Sequence, residues 1–281
     1  MTMLHKLLFT FALLILTNVQ AFNQKDLDRF DELGVCEGCN LSGADFSDYN
    51  LIGTDLAYAN LARINFVNTK LVNADLYGAR LSNAKLINVN LRYATLRYAR
   101  LNDANLEEAD LRDADLRNAG LRDVNLEEAD LSGANLSNVN LNNSDLHNAV
   151  LKETNLSNAF LRNINSIGAN FIQANVSGAD LSSANISGAN FSYANLQDTE
   201  LYGANLRGVN FSKANLRRVN LTNAILVNTD FTDANLYDAN LYGADLRYSD
   251  LRFAKFFNVN LDKAIYCHTK MPWGQRNDHC K

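Results

Sequence analysis

A large apolar residue returns at every fifth position from 41 to 261, without insertion or deletion. Of the 45 positions in this series, 44 are Leu, Phe, Ile or Val, and only Ser166 departs. Two residues before each apolar centre stands a small residue, as in Ala44, Ala59 and Ala74. Directly before the centre Asn or Asp predominates, as in Asp45, Asn50 and Asp55. Tyr49, Ile64 and Ile164 are bulky exceptions at the small position, and Ile164 is placed to fill the space of the leucine missing at Ser166.

A period of five excludes the two common elements. On a helix, successive centres would step by about 140° and scatter around the axis. On a flat strand, an odd period would send alternate centres to opposite faces. What remains is a short extended segment whose small residue and centre both point inward, followed by a two-residue corner. With corners near a right angle, four repeats close a coil of about 20 residues, and the coils stack into one quasi-one-dimensional array. Phe171, Phe191, Phe211 and Phe231 recur at that interval, as do Phe46 and Phe66, and residues 105–111 return unchanged as 125–131. Roughly eleven coils at about 4.8 Å each predict a rod on the order of 55 Å long.

The ends differ from the array. Residues 23–33 read as a short helix capping one end: Asn23 and Asp26 suit its amino terminus, Leu27, Phe30 and Leu33 share a face, and Gly34 suits its stop. An array needs such a cap over its hydrophobic cross-section. Residues 1–21 read as a secretory leader, with Lys6 before an apolar run over 7–16 and small residues before Phe22. The expected organisation is therefore a signal peptide at 1–21, a helical cap with Cys-x-x-Cys at 22–39, the array at 40–265 and a second cap at 266–281.

The repeat Ala-(Asp/Asn)-Leu-x-x, written here as Ala44-Asp45-Phe46-Ser47-Asp48 or Ala179-Asp180-Leu181-Ser182-Ser183, resembles the pentapeptide-repeat proteins over about four-fifths of the chain. The resemblance implies an all-β fold, a right-handed quadrilateral parallel β-helix, and it implies no single activity.

Four cysteines stand in two end pairs, Cys36 with Cys39 and Cys267 with Cys280. In an exported rod the ends are too far apart to be bridged, so disulfides within each pair are expected. The Cys-x-x-Cys start and the Thr-Lys-Met-Pro-Trp-Gly exit also resemble flanks of secreted members of the family. Two other readings stay open: a redox pair at Cys36 and Cys39, and a zinc site from Cys267, His268, His279 and Cys280.

Charge narrows the function. The chain carries 26 basic and 31 acidic residues, net -5, or -6 once Lys6 is removed with the leader. A general nucleic-acid binder would need the opposite sign. The resemblance also raises mimicry of DNA toward a topoisomerase such as gyrase. Duplex DNA of this length would present roughly 32 charges, far more than this chain has. An enzyme is not expected: the array has no insertion from which to build a pocket, and His147, with Asp145 nearby, is its only histidine. No cofactor is expected, and after leader cleavage no stable membrane insertion.

The exterior is then the place for recognition. Seven basic residues from Arg63 to Arg100 accompany a single acid, Asp75, whereas ten acids from Asp103 to Asp130 accompany three arginines. Arg80, Arg92, Arg97 and Arg100 on one band, and Glu107, Glu108, Glu127 and Glu128 on the other, are the candidate interaction residues. In a 20-residue coil Arg80 stacks on Arg100, Glu107 on Glu127 and Glu108 on Glu128. Tyr237, Tyr242, Tyr248, Phe253 and Phe257 point outward near the carboxyl end, offering either a homodimer interface or a seat for the tail around Trp273. The expected function is a non-enzymatic, exported scaffold rod for an unidentified protein partner.

Overall fold

A computed structural model describes residues 22–280; the expected signal peptide lies outside the described residues. The chain winds as a right-handed quadrilateral β-helix in which residue i pairs in parallel with residue i+20, from Val35 with Asp55 to Asp250 with Lys270.

Each repeat is built in the same way. The centre carbonyl accepts from the N–H three residues on, as in Ala44 N to Leu41 O at 3.1 Å, closing a β-turn. The third residue of that turn takes a positive φ, for example 65° at Asp48, 57° at Asn68 and 74° at Gly43, as a type II turn demands. This explains the many Asn, Asp and Gly residues two places after the centre, since these adopt the left-handed region at least cost. The Asn or Asp before the centre serves the same corner, its side chain accepting from the backbone two residues on, as in Ser47 N to Asp45 Oδ1 at 2.9 Å. Coils are joined by backbone bonds such as Leu41 N to Asn60 O and Gly43 N to Ala62 O, both 2.9 Å.

The interior is closed by packed side chains. Centres such as Leu61, Leu81 and Leu101 and the alanines beside them are buried, each large side chain contributing roughly 1.5–3 kcal/mol. The Phe171 and Phe191 rings lie parallel, 4.2 Å apart, and Phe211 and Phe231 stack at 5.3 Å. Threonines that replace alanine are satisfied: the hydroxyls of Thr69, Thr154, Thr199 and Thr229 donate to Phe46, Leu131, Val176 and Leu206 carbonyls at 2.7–3.0 Å. On one face Asn135, Asn155, Asn175, Asn195, Asn215 and Asn235 form an unbroken side-chain ladder with rungs of 2.9–3.3 Å.

The departures differ among themselves. Ile64 and Ile164 are inside, but Tyr49 turns outward against the edge of Phe46, because a ring cannot fit where a methyl group belongs. Ser166 is fully buried and its hydroxyl has no hydrogen-bond partner.

At the amino end, α1 (Gln24–Leu33) is capped by the Asn23 side chain, which accepts from Lys25 N, and stops at Gly34 with φ 66°. Asp26 does not share the capping; its carboxylate accepts from Asn40 N at 2.9 Å and ties the helix to the first coil. Phe30 seals the core edge-on against Phe46, whereas Leu33 is exposed and does not belong to the buried face. Winding begins at Val35, five residues earlier than expected, so Cys36 occupies a centre position and Cys39 the small position after it. At the other end winding continues past 265, with Tyr266 and Met271 at buried centre positions. A hairpin of β1 (Thr269–Met271) and β2 (Gly274–Arg276) then closes the rod.

Candidate protein-interaction surface

Both end pairs of cysteines are disulfides, Cys36 with Cys39 and Cys267 with Cys280, with Cα separations of 5.3 and 4.9 Å. Cys36 and Cys39 are buried, which denies an attacking thiolate the access that a redox pair needs. Ligand atoms of Cys267, His268 and Cys280 lie within 4.8 Å of one another, but both sulfurs are spent in the disulfide, and zinc takes thiolates. His279 stands apart from that trio, its Nδ1 accepting from Tyr266 N at 3.1 Å. Asp145 accepts from the backbone of His147, the ordinary corner contact.

The carboxyl-terminal aromatics are only partly covered. Trp273 packs edge-on against Phe256, centroids 5.3 Å apart, and Met271 is buried, so the tail caps the open end of the core. It does not cover the flank: Tyr237, Tyr248, Phe253 and Phe257 remain exposed.

Projecting the two charge bands onto the coils separates residues that are adjacent in sequence. Arg80 and Arg100 pair directly, in a mid-face column running Asn60, Arg80, Arg100, Gly120 and Asn140 that contains no acid. Arg97 sits on the corner just before this face. Its guanidinium lies 6.0 Å from the Tyr77 ring and 5.7 Å from Tyr98. Tyr58 meets Tyr77 at 5.3 Å and Tyr77 meets Tyr98 at 5.6 Å, so three tyrosines and Arg97 make one corner cluster. Arg92 is one corner away, over Tyr93 at 5.1 Å. Glu107 and Glu127, with Glu108 and Glu128, occupy the diagonally opposite corner, joined by Glu108 N to Glu127 O at 2.9 Å.

The bands also differ in neutralisation. In the acidic band, Arg112 forks onto Asp110 and Arg117 onto Asp115, each with a contact at 2.5 Å. The hydrogen bonds from Arg117 hold the Asp115 carboxyl below its usual range despite its partial burial. In the basic band none of Arg63, Lys70, Arg80, Lys85, Arg92, Arg97 and Arg100 is ion-paired among the described residues. The Nε atoms of Arg92 and Arg97 are enclosed and lack acceptors. The tyrosine cluster could have been found from the sequence alone, since Tyr58, Gly78 and Tyr98 share one corner register and Tyr77 and Arg97 another.

Family models match the same repeat along most of the chain. Pentapeptide repeats, in 8 copies, match residues 35–66, 119–158, 149–188, 167–201, 184–223 and 224–262, and a pentapeptide repeat region matches 59–136. No curated protein matches the chain. Among solved structures it is similar to HetL, a pentapeptide repeat protein involved in heterocyst differentiation regulation in the cyanobacterium Nostoc sp. strain PCC 7120. That likeness has 28% identity over 88% of this chain and 96% of that one, with a TM-score of 0.42. QnrB1, a plasmid-mediated fluoroquinolone resistance protein, is 24% identical over 59% of this chain and 92% of its own, TM-score 0.46. A protein of the Arabidopsis thaliana thylakoid lumen is 28% identical over 40% and 68%, TM-score 0.25. With its repeats matched from 35 through 262, this chain belongs to the pentapeptide-repeat family.

Proposed function

We propose that this protein is a non-enzymatic scaffold that works outside the cytoplasm and engages a protein partner through the exterior of its amino-terminal half. The observation that carries this reading is the band of unpaired cations, Arg80, Arg97 and Arg100 among them, beside exposed tyrosines on a rod whose interior is filled. Tyr and Arg are the side chains most enriched at binding hot spots. Export is supported by the apolar leader and by two disulfides at the ends, since such bonds persist in oxidising compartments.

Mimicry of duplex DNA draws less support, because Arg112 and Arg117 neutralise part of the acidic band. The test is a photocrosslinking residue placed singly at Asn102, beside Arg100, at Glu107 and at Ser183, with adducts collected from fractionated cells. A discrete protein adduct at Asn102, absent at Ser183 and recovered outside the cytoplasm, is expected. Equal adducts at all three positions, or recovery from the cytoplasm, would refute the reading.

A further inference from the structure

We propose that the corner formed by Tyr58, Tyr77, Arg97 and Tyr98, with Arg80 and Arg100 on the adjoining face, binds a short acidic peptide segment of a partner. This deepens the scaffold reading and rests on it.

Three observations, taken together, mark this corner. First, its cations lack counter-ions. The acids nearest in register to Arg97 are Asp75 and Asp115, one coil to either side in the column before the corner; Asp115 is already held in a fork by Arg117, and Asp75 accepts from the backbone of Tyr77 and forms no ion pair with Arg97. Arg80 and Arg100 stand one above the other as like charges, a mutually repulsive arrangement that a bound carboxylate would relieve. Second, two of the three tyrosines occupy positions that local preference would give to other residues, as Tyr93, Tyr193 and Tyr248 also do. Tyr58 and Tyr98 have φ 57° and 59°, where a bulky side chain costs on the order of 1 kcal/mol relative to glycine.

Third, the cluster has a space reserved for it. Gly78 lies between Tyr58 and Tyr98 in the corner column, and a Cβ there would come within 2.9 Å of the Tyr58 ring. The absence of a side chain at Gly78 lets Tyr58 lie over the backbone and reach Tyr77.

The size and surroundings of the corner define the ligand. From the Tyr58 coil to the Tyr98 coil is two coil steps, about 10 Å. That matches three or four residues of extended peptide at about 3.3 Å each. Guanidinium forks suit carboxylates, and the tyrosine faces offer apolar area for a flanking side chain. A nucleic-acid strand fits poorly: the cations of this face end at Gly120 and Asn140, and a strand continued along the rod would run beside the column of Asp55, Asp75 and Asp115 on the face before the corner.

The test uses the chain from Phe22 onward and a fluorescein-labelled hexaglutamate peptide, with hexalysine and a hexathymidylate strand as comparisons, read by anisotropy at low salt. Hexaglutamate is expected to bind and hexalysine not to. Arg80→Glu with Arg100→Glu should weaken hexaglutamate at least tenfold. The control pair Lys152→Glu with Arg217→Glu, which changes net charge equally elsewhere, should leave it within twofold. Gly78→Asn, a residue this corner accepts at Asn118 and Asn138, should keep the fold while displacing Tyr58 and weaken binding at least threefold.

Equal losses in the two double variants would reduce the site to bulk charge and overturn the proposal. Tighter binding of hexathymidylate than of hexaglutamate would overturn it in favour of nucleic acid. Failure of the native chain to bind hexaglutamate, with crosslinks at Asn102 retained, would overturn the peptide class and leave the scaffold reading standing.

Discussion

At the residue scale, stability follows from what each inward position demands. Ser166 is instructive because it breaks the centre series and yet is wholly buried, with a hydroxyl that finds no partner. A buried, unsatisfied polar group costs about 1–3 kcal/mol. Replacing Ser166 with Ala removes the hydroxyl at almost no cost in volume, so the variant should be more stable than the native chain by about 1 kcal/mol. Denaturant unfolding measures this, and a loss of stability would show that the hydroxyl has a partner. Phe191 makes the opposite case. Its ring is stacked on Phe171 and packed toward Phe211 at 5.5 Å, so Phe191→Ala should cost about 3–5 kcal/mol, read by the same method.

At the element scale, each coil is a cycle of four similar turns, and much of it could be read from the chain. The five-residue period excluded helix and flat strand, and the phenylalanine ladder supplied the coil length. The left-handed corner residues were legible in principle, in the run of Asn, Asp and Gly two places after each centre. The caps were harder to read. Cys36 and Tyr266 stand at centre positions without being leucine-like, so a pattern defined by large aliphatic residues stops short at both ends. Tyr49 shows the converse, a residue in an inward register whose bulk turns it outward. The interaction corner was obscured because charge along the chain does not equal charge on a face; seven neighbouring cations spread over three faces and three corners.

The carboxyl-terminal element has its own expected outcome. The Cys267–Cys280 bond closes the hairpin that carries Met271 onto the core, with a loop comparable to one worth about 3 kcal/mol. Cys267→Ser with Cys280→Ser should therefore raise hydrogen exchange over residues 266–280 and leave the coils of the Asn ladder protected. Exchange rising along the whole rod would show that the cap is required for the array itself.

At the scale of the whole molecule, charge pairs tie stability to pH. Hydrogen bonds from Arg117, Arg218 and Arg252 hold the carboxyls of Asp115, Asp198 and Asp250 below the usual range. A carboxyl whose folded pKa is depressed contributes stability above its unfolded value, near 4, and loses it as pH falls through the folded one. The melting temperature should therefore be level from about pH 7 to pH 5 and decline below about pH 4. The decline should be shallow, because these pairs are largely exposed and solvent screens them. A melting temperature that rises on acidification would contradict the assignment.

In this rod the interior supplies rigidity and the exterior supplies recognition. Exchanging the exterior alone separates the two roles: Tyr58, Tyr77, Arg80, Arg97, Tyr98 and Arg100 replaced together by the Asn and Ser residues that fill equivalent outward positions near 137–158, with every inward residue kept. An unchanged circular dichroism spectrum and cooperative melting are expected, together with loss of the partner adduct from a crosslinker at neighbouring Asn102. Retention of that adduct at native yield in the folded variant would contradict this division of roles.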